Sequence, residues 1–231
     1  MRTITAAGES VRMRGVPAEG RESAGEPFDP FRLQTQQERQ ERLLTFFRSI
    51  GLASLKGLKI LDVGCGSGGQ LRRLTDFGAD PANCFGIDLS EKGVSDARHV
   101  NPNISFAKAN AAVLPFSENA FDLVFQFTVL TSVLKSETRR QIVKEIQRVL
   151  RPGGYFISYD FAYSNPRNPN VRGIGRRELA ELLEPFELRF ARLTLAPPIG
   201  RPVARFSTFF YRTLAAVPLL RTHYFCFAQK P

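Results

Sequence analysis

The stretch KILDVGCGSGG, residues 59–69, decides the fold. A short apolar run closes on Asp62. From Gly64 to Gly68 glycine then stands at every second place, and Gly69 follows. Glycine has no Cβ, so a chain leaving a strand can turn sharply there, and a ligand can lie against bare backbone. A helix starting just after such a loop aims its unpaired N–H groups at that ligand. The dinucleotide fingerprint is GxGxxG; here glycines stand at 64, 66, 68 and 69, preceded by Asp62, so the loop implies a nucleotide-like cofactor without choosing one. A tight turn with no ligand is the alternative. Asp88 adds a second sign. It ends the next apolar run, CFGID, 24 positions after Gly64. A carboxylate there can accept both hydroxyls of a ribose. Capping the following helix is the other reading, and Ser90 fits that role better.

Outward from this loop the chain alternates. Strands are predicted at 59–63, 84–88, 104–108, 121–127, 155–159, 186–195 and 223–229, and helices at 70–77, 90–99, 135–150 and 176–183. FDLVFQF, at 121–127, is apolar almost throughout, as a strand buried on both faces is. The helix at 135–150 carries Ile142, Val143, Ile146, Val149 and Leu150 on one side and ends before Pro152-Gly153-Gly154. This rhythm predicts an α/β fold, a parallel sheet with helices on both faces. A further amphipathic helix is expected from Phe31 to Ile50, with Leu33, Gln37, Leu43, Leu44, Phe46, Phe47 and Ile50 on its inner side and Gly51 as its stop. Residues 1–27 show neither period and are expected to be a mobile tail, leaving 28–231 as a single domain.

Composition narrows the setting. The 231 residues are 43% hydrophobic, enough for a sizeable core, with a formal net charge of +10. The excess sits late: residues 151–231 carry 12 bases and 5 acids, with no acid after Glu187. An anionic partner would meet that third. Cys65, Cys84 and Cys226 form no CxxC pair and are odd in number, against a disulfide framework or a zinc cluster. With no hydrophobic leader and no membrane-length apolar run, a cytoplasmic protein is expected, with contact at the inner membrane face left open.

The ordered set DVGCGSG, GIDLS, NAAVLPF, FDLVFQF and LRPGG resembles the class I S-adenosylmethionine-dependent methyltransferases over roughly residues 55–160. The resemblance implies their Rossmann-like doubly wound seven-stranded sheet, mostly parallel with an antiparallel last strand, and S-adenosylmethionine as cofactor. By position it implies that Gly64, Cys65 and Gly66 pass under the methionine part, and that Asp62 holds its amino group. Asp88 would take the ribose hydroxyls and Leu89 would lie against the adenine. Asn110 stands where the family most often has Asp and keeps a carbonyl acceptor for the adenine amino group, with Ala111 and Ala112 lining the slot. Gln126 and Phe127 would end their strand beside the reacting sulfonium.

Such sheets place their active face at the C-terminal ends of the parallel strands. Asp160, ending the fifth strand, and His223, starting an antiparallel seventh, are therefore expected to converge as base or substrate contacts. His99 is expected at the surface or at a helix end. In the loop at 164–175, Asn165, Asn168, Asn170 and Arg172 could hydrogen-bond a hydroxyl-rich ligand, with ordinary Asx turns as the alternative. Residues 197–222 are too long for a hairpin loop and are expected to be a lid. They mix arginines with phenylalanines and leucines, which fits a phosphate-bearing lipid acceptor or a membrane surface; a helix packed on the sheet with its arginines in water is the other reading. The C-terminal stretches YDFAYSNPRNPNVRG, TLAPP and LLRTHYF are similar to bacterial methyltransferases of polysaccharide gene clusters. That resemblance implies O-methylation of a sugar on a glycan, nucleotide-sugar or lipid-linked saccharide. A quinone-like acceptor and a non-catalytic cofactor-binding subunit are the alternatives. No NPPY or DPPY tetrapeptide of nucleobase methyltransferases is present, that place reading QFTV, so no DNA partner is expected. No metal-ligand set is recognisable.

Overall fold

The computed structural model describes residues 28–165 and 168–231; the tail expected at 1–27 lies outside them. In chain order the elements are α1 (Pro30–Ser49), β1 (Ile60–Val63), α2 (Gly69–Asp76), β2 (Cys84–Asp88), α3 (Glu91–Val100), β3 (Ser105–Lys108), β4 (Phe121–Phe127), α4 (Val129–Ser132), α5 (Ser136–Val149), β5 (Leu150–Phe161), α6 (Arg176–Leu182), β6 (Glu187–Leu195), α7 (Pro197–Phe206), α8 (Thr208–Ala215) and β7 (Arg221–Gln229). The seven strands form one sheet in the order β3-β2-β1-β4-β5-β7-β6. All neighbours are parallel except at β7, which runs against both β5 and β6. This is the class I methyltransferase sheet.

Helices cover both faces, so the central strands are apolar on both sides. One core holds Leu43, Phe46 and Phe47 of α1, Leu71 and Leu74 of α2, and Val94 and Ala97 of α3 against Ile60, Phe125, Tyr159 and Phe225. The other packs Ile142, Val143, Ile146 and Val149 of α5 and Leu179 of α6 on Leu61, Val63, Val124 and Phe156. A third, smaller core joins Phe31 of α1 to Leu195, Ala204, Tyr211 and Ala215.

Three local expectations change. On α1, Leu33 and Leu44 face water, whereas Gln34 and Thr35 are buried. The inward stripe runs Phe31, Thr35, Arg39, Leu43, Phe46 and Phe47 at four-residue spacing, and a polar residue at two of its steps hid it. The glycine pair after Pro152 does not separate helix from strand. Helix α5 ends at Val149, and β5 runs through the pair as a bulge, with Leu150 opposite Phe121 and Tyr155 opposite Leu123. The short α4 was not foreseen. It follows Thr128, whose φ of 60° is unusual for a β-branched residue.

Candidate active site

The strand order reverses between β1 and β4, and ligands of such sheets bind outside the C-terminal ends of the strands at that point. The glycine loop leaves β1 there. A Cβ on Gly64 would stand 2.1 Å from Val129 Cγ2, so the loop passes α4 only as bare backbone. At Gly66, with φ of +52°, a Cβ would meet nothing within 4 Å. The backbone is thus packed behind and open in front.

Asp88 fastens this loop. Its Oδ2 accepts from Gly66 N at 2.9 Å and its Oδ1 from Ser90 N at 2.7 Å, while Ser90 Oγ caps α3 through Gly93 N. Asp62, at the end of β1, is 3% exposed. Among the described residues no hydrogen bond reaches its carboxylate. Burial first, then the neighbouring Asp88 charge, raise its pKa to about 7, and Arg39 opposes them. Cys65 is buried, and its thiol is pushed far up by burial.

Arg39 is a site residue that sequence reasoning missed. It reaches down from α1 over the rings of Tyr159, at 5.0 Å, and Phe127, at 5.4 Å. With Gln36, Gln40, Gln70, Arg73 and Phe127 it lines a small crevice between α1 and α2. The signal was a base on the inward stripe of an amphipathic helix.

On the second strand's side, Leu89 is half exposed and Ala111 is buried. Asn110 Oδ1 accepts from Ala112 N at 3.0 Å, so the acceptor expected to meet adenine also closes an Asx turn.

The expected convergence of Asp160 and His223 does not occur. In the β5–β7 ladder Phe161 lies opposite His223, and Asp160 opposite Tyr224. Opposite residues share a face and neighbours alternate, so the two side chains leave the sheet on different sides. Asp160 is fully buried. It accepts from Thr131 N at 3.1 Å, Thr131 Oγ1 at 3.0 Å, Gln126 Nε2 at 3.0 Å and Ser158 Oγ at 2.8 Å. It ties α4 to the sheet, and burial, the largest influence, raises its pKa to about 7 against these donors. Gln126 is fully buried beside it on that same far face, away from Asp62, and does not line the crevice. Phe127 does.

His223 is on the α1 side, 4% exposed, stacked on Tyr159 at 4.6 Å and beside Phe161 at 4.0 Å. Burial, helped by the Arg39 charge, lowers its pKa to about 3, so it is neutral at pH 7. His99 lies exposed in the last turn of α3.

The loop after β5 is tied partly to itself and partly to its neighbours, with Arg172 Nε buried and, among the described residues, unpaired. Asn168 N donates to Asn165 O at 2.9 Å, and Asn168 Oδ1 accepts from Asn170 N at 3.1 Å. Arg172 donates to Glu178 at 2.5 Å and to Ser136 Oγ at 3.1 Å. The fully buried Arg139 holds the loop from below, donating to Arg172 O at 2.6 Å, Val133 O at 2.7 Å and Glu178 at 2.9 Å.

Comparison with known proteins agrees with this architecture. Residues 61–158 match the family model described as a methyltransferase domain. Phthiotriol/phenolphthiotriol dimycocerosates methyltransferase of Mycobacterium tuberculosis is 36% identical over 122 residues, 52% of this chain and 44% of that protein. Cycloartenol-C-24-methyltransferase 1 of rice, Oryza sativa subsp. japonica, is 32% identical over 130 residues, 54% of this chain and 36% of that protein. The matches thus take in less than half the length of these curated relatives. An S-adenosylmethionine-dependent methyltransferase from Mesorhizobium loti superimposes with a TM-score of 0.61 at 20% identity, over 80% of this chain and 96% of that one. Glycine loop, strand order and matched sequence meet in one stretch: residues 61–158 match a methyltransferase domain, within a sheet of the class I methyltransferase fold.

Proposed function

We propose that the chain transfers the methyl group of S-adenosylmethionine to a hydroxyl on a lipid-borne acceptor. One observation carries the cofactor: the Asp62 carboxylate, buried beside the glycine loop, has no hydrogen-bond partner among the described residues. A buried carboxylate without donors costs several kcal/mol unless it is neutralised or paired. An ammonium brought in by a ligand would pair it. The residues fit the group: Asp62 for the amino group, the open front of Gly66 for the chain, and the carboxylate of Asp88, at the end of β2 beside that loop, for the ribose hydroxyls.

The cofactor, when bound, supplies a methyl already activated on a sulfonium. The protein's part is placement, which can supply about 7–11 kcal/mol in favourable cases. An acceptor hydroxyl held in line behind that methyl would form the C–O bond, the pair of the broken C–S bond staying on sulfur. The hydroxyl proton leaves with or after attack. Asp160 cannot take it from the far face of the sheet. A neutral His223 with a pKa of about 3 is a weak acceptor, so water is the proton's destination.

The acceptor class rests on the floor of the site. Phe127, Tyr159, Phe161, His223 and Phe225 form an aromatic surface under α1. Of the asparagines expected to hold a polyhydroxyl ligand, Asn168 turns its side-chain oxygen back onto its own loop. The relatives above are named for lipid and sterol acceptors. A lipid-linked saccharide remains inside the class; a free nucleotide-sugar fits it less well.

Calorimetric titration with S-adenosylmethionine, followed by transfer of its labelled methyl to lipid and aqueous glycan extracts, tests the reading. Label in the lipid phase is expected, and label only in the aqueous phase would overturn the acceptor class. Asp62→Ala should weaken cofactor binding by about tenfold or more, the loss of one charge-assisted contact of about 1.5–3 kcal/mol. Unchanged affinity would remove the cofactor assignment.

A further inference from the structure

Helices α7 and α8 are apolar on the wrong side for two helices in water. Their inner seam is already filled: Gly200 and Ala204 of α7, and Tyr211 and Ala215 of α8, pack on Phe31 and Leu195. On the outside, Phe206 is 81% exposed, Phe209 72%, Phe210 51% and Leu219, in the turn after α8, 86%. The three rings form one crest, Phe206 stacked on Phe210 at 6.1 Å and Phe209 against Phe210 at 5.7 Å. Each such ring carries about 150–250 Å² of surface, so the crest bares several hundred square ångströms, the size that marks a contact site on a monomer. Exposed Arg201 and Arg205 flank it, and no acid follows Glu187 in the chain. Aromatic and aliphatic side chains rimmed by arginine match the boundary between acyl chains and anionic headgroups. No helix among the described residues is long and apolar enough to cross a membrane, so the contact is with a surface.

We propose that the outer face of α7 and α8 docks the protein on an anionic lipid bilayer, with the Phe206–Phe209–Phe210 crest among the acyl chains and Arg201 and Arg205 at the headgroups. The seam ties this face to α1, whose Arg39 stands over the candidate site. Docking therefore brings a lipid-borne acceptor to that site, a role that rests on the function proposed above.

The test is cosedimentation with vesicles of phosphatidylcholine alone and of phosphatidylcholine with about one third phosphatidylglycerol, at physiological salt. The protein is expected to pellet with the anionic vesicles and to stay in solution with the neutral ones, with binding weakened by added salt. The triple variant Phe206→Ser, Phe209→Ser, Phe210→Ser should lose at least tenfold in partitioning while its cofactor affinity, read by calorimetry, stays unchanged. Arg201→Glu with Arg205→Glu should remove the preference for anionic lipid. Failure to pellet with anionic vesicles, or equal pelleting of the variants, overturns the proposal. So does a concentration-dependent dimer, dissolved by the triple variant, without vesicle binding; the crest would then meet a second copy. Vesicle binding without methyl transfer to lipid extracts would instead remove the acceptor reading and leave the docking surface standing.

Discussion

Asp62 and Asp160 are both buried carboxylates raised to about 7, yet their settings differ. Asp160 has four donors around it; Asp62 has none and faces the open loop. A cationic ligand pairs only with ionised Asp62, so cofactor affinity should fall as pH drops below about 7 and level off above it. Calorimetry across that range checks this, and Asp62→Asn should bind weakly with no such pH dependence. For stability the sign is opposite to the usual carboxylate. Each group's folded pKa lies above the ordinary aspartate value of 3.8. Each therefore contributes stability that is fully present below that value and is lost as pH rises through about 7. Asp160→Asn should flatten the fall in melting temperature over that interval. It should also cost about 1–3 kcal/mol, because its replacement leaves some of the four donors unmatched. Thermal melts of the two proteins from acid to neutral pH read both effects.

Helix α1 works as a cover by virtue of what points inward. Phe46 stacks on Phe227 at 3.8 Å and fixes its C-terminal half to the sheet, while Glu38 accepts from Thr194 N at 3.0 Å. Between these anchors Arg39 is held over Tyr159 and Phe127. Truncation by Phe46→Ala should cost about 3–5 kcal/mol in denaturant unfolding, as buried phenylalanines do. The seam to α7 is tighter still: a Cβ on Gly200 would stand 2.3 Å from the Phe31 ring. Gly200→Ala should push α7 and α8 away from α1, seen as faster amide exchange over residues 197–215 with the sheet unchanged.

At the scale of the molecule, the candidate cofactor site gathers loops from β1, β2 and β4 with a helix from the N-terminal side. A ligand bound there couples all of them. At about one hundred times its dissociation constant it should add about 2.7 kcal/mol, or roughly 5–10 °C in melting temperature for a chain of this size. Differential scanning with S-adenosylmethionine measures it, and ATP at the same concentration serves as the control.

Much of this was legible in the residues. The glycine loop, the acid ending β2, the apolar β4 and the alternation of elements are local patterns, and local patterns set strands, helices and a parallel sheet wherever the chain meets water and core in the usual way. Distance along the chain hid the rest. That Asp160 and His223 lie on opposite faces depends on the β5–β7 register, which pairs residues 62 positions apart: Phe161 with His223. That Arg39 joins the site depends on how α1 crosses the sheet. That Phe206 and its neighbours stay bare depends on Gly200 and Tyr211 having already filled the inner side of their helices. Sequence periodicity fixes which residues share a face of an element. Only packing between distant elements decides which face is covered and what stands across from it.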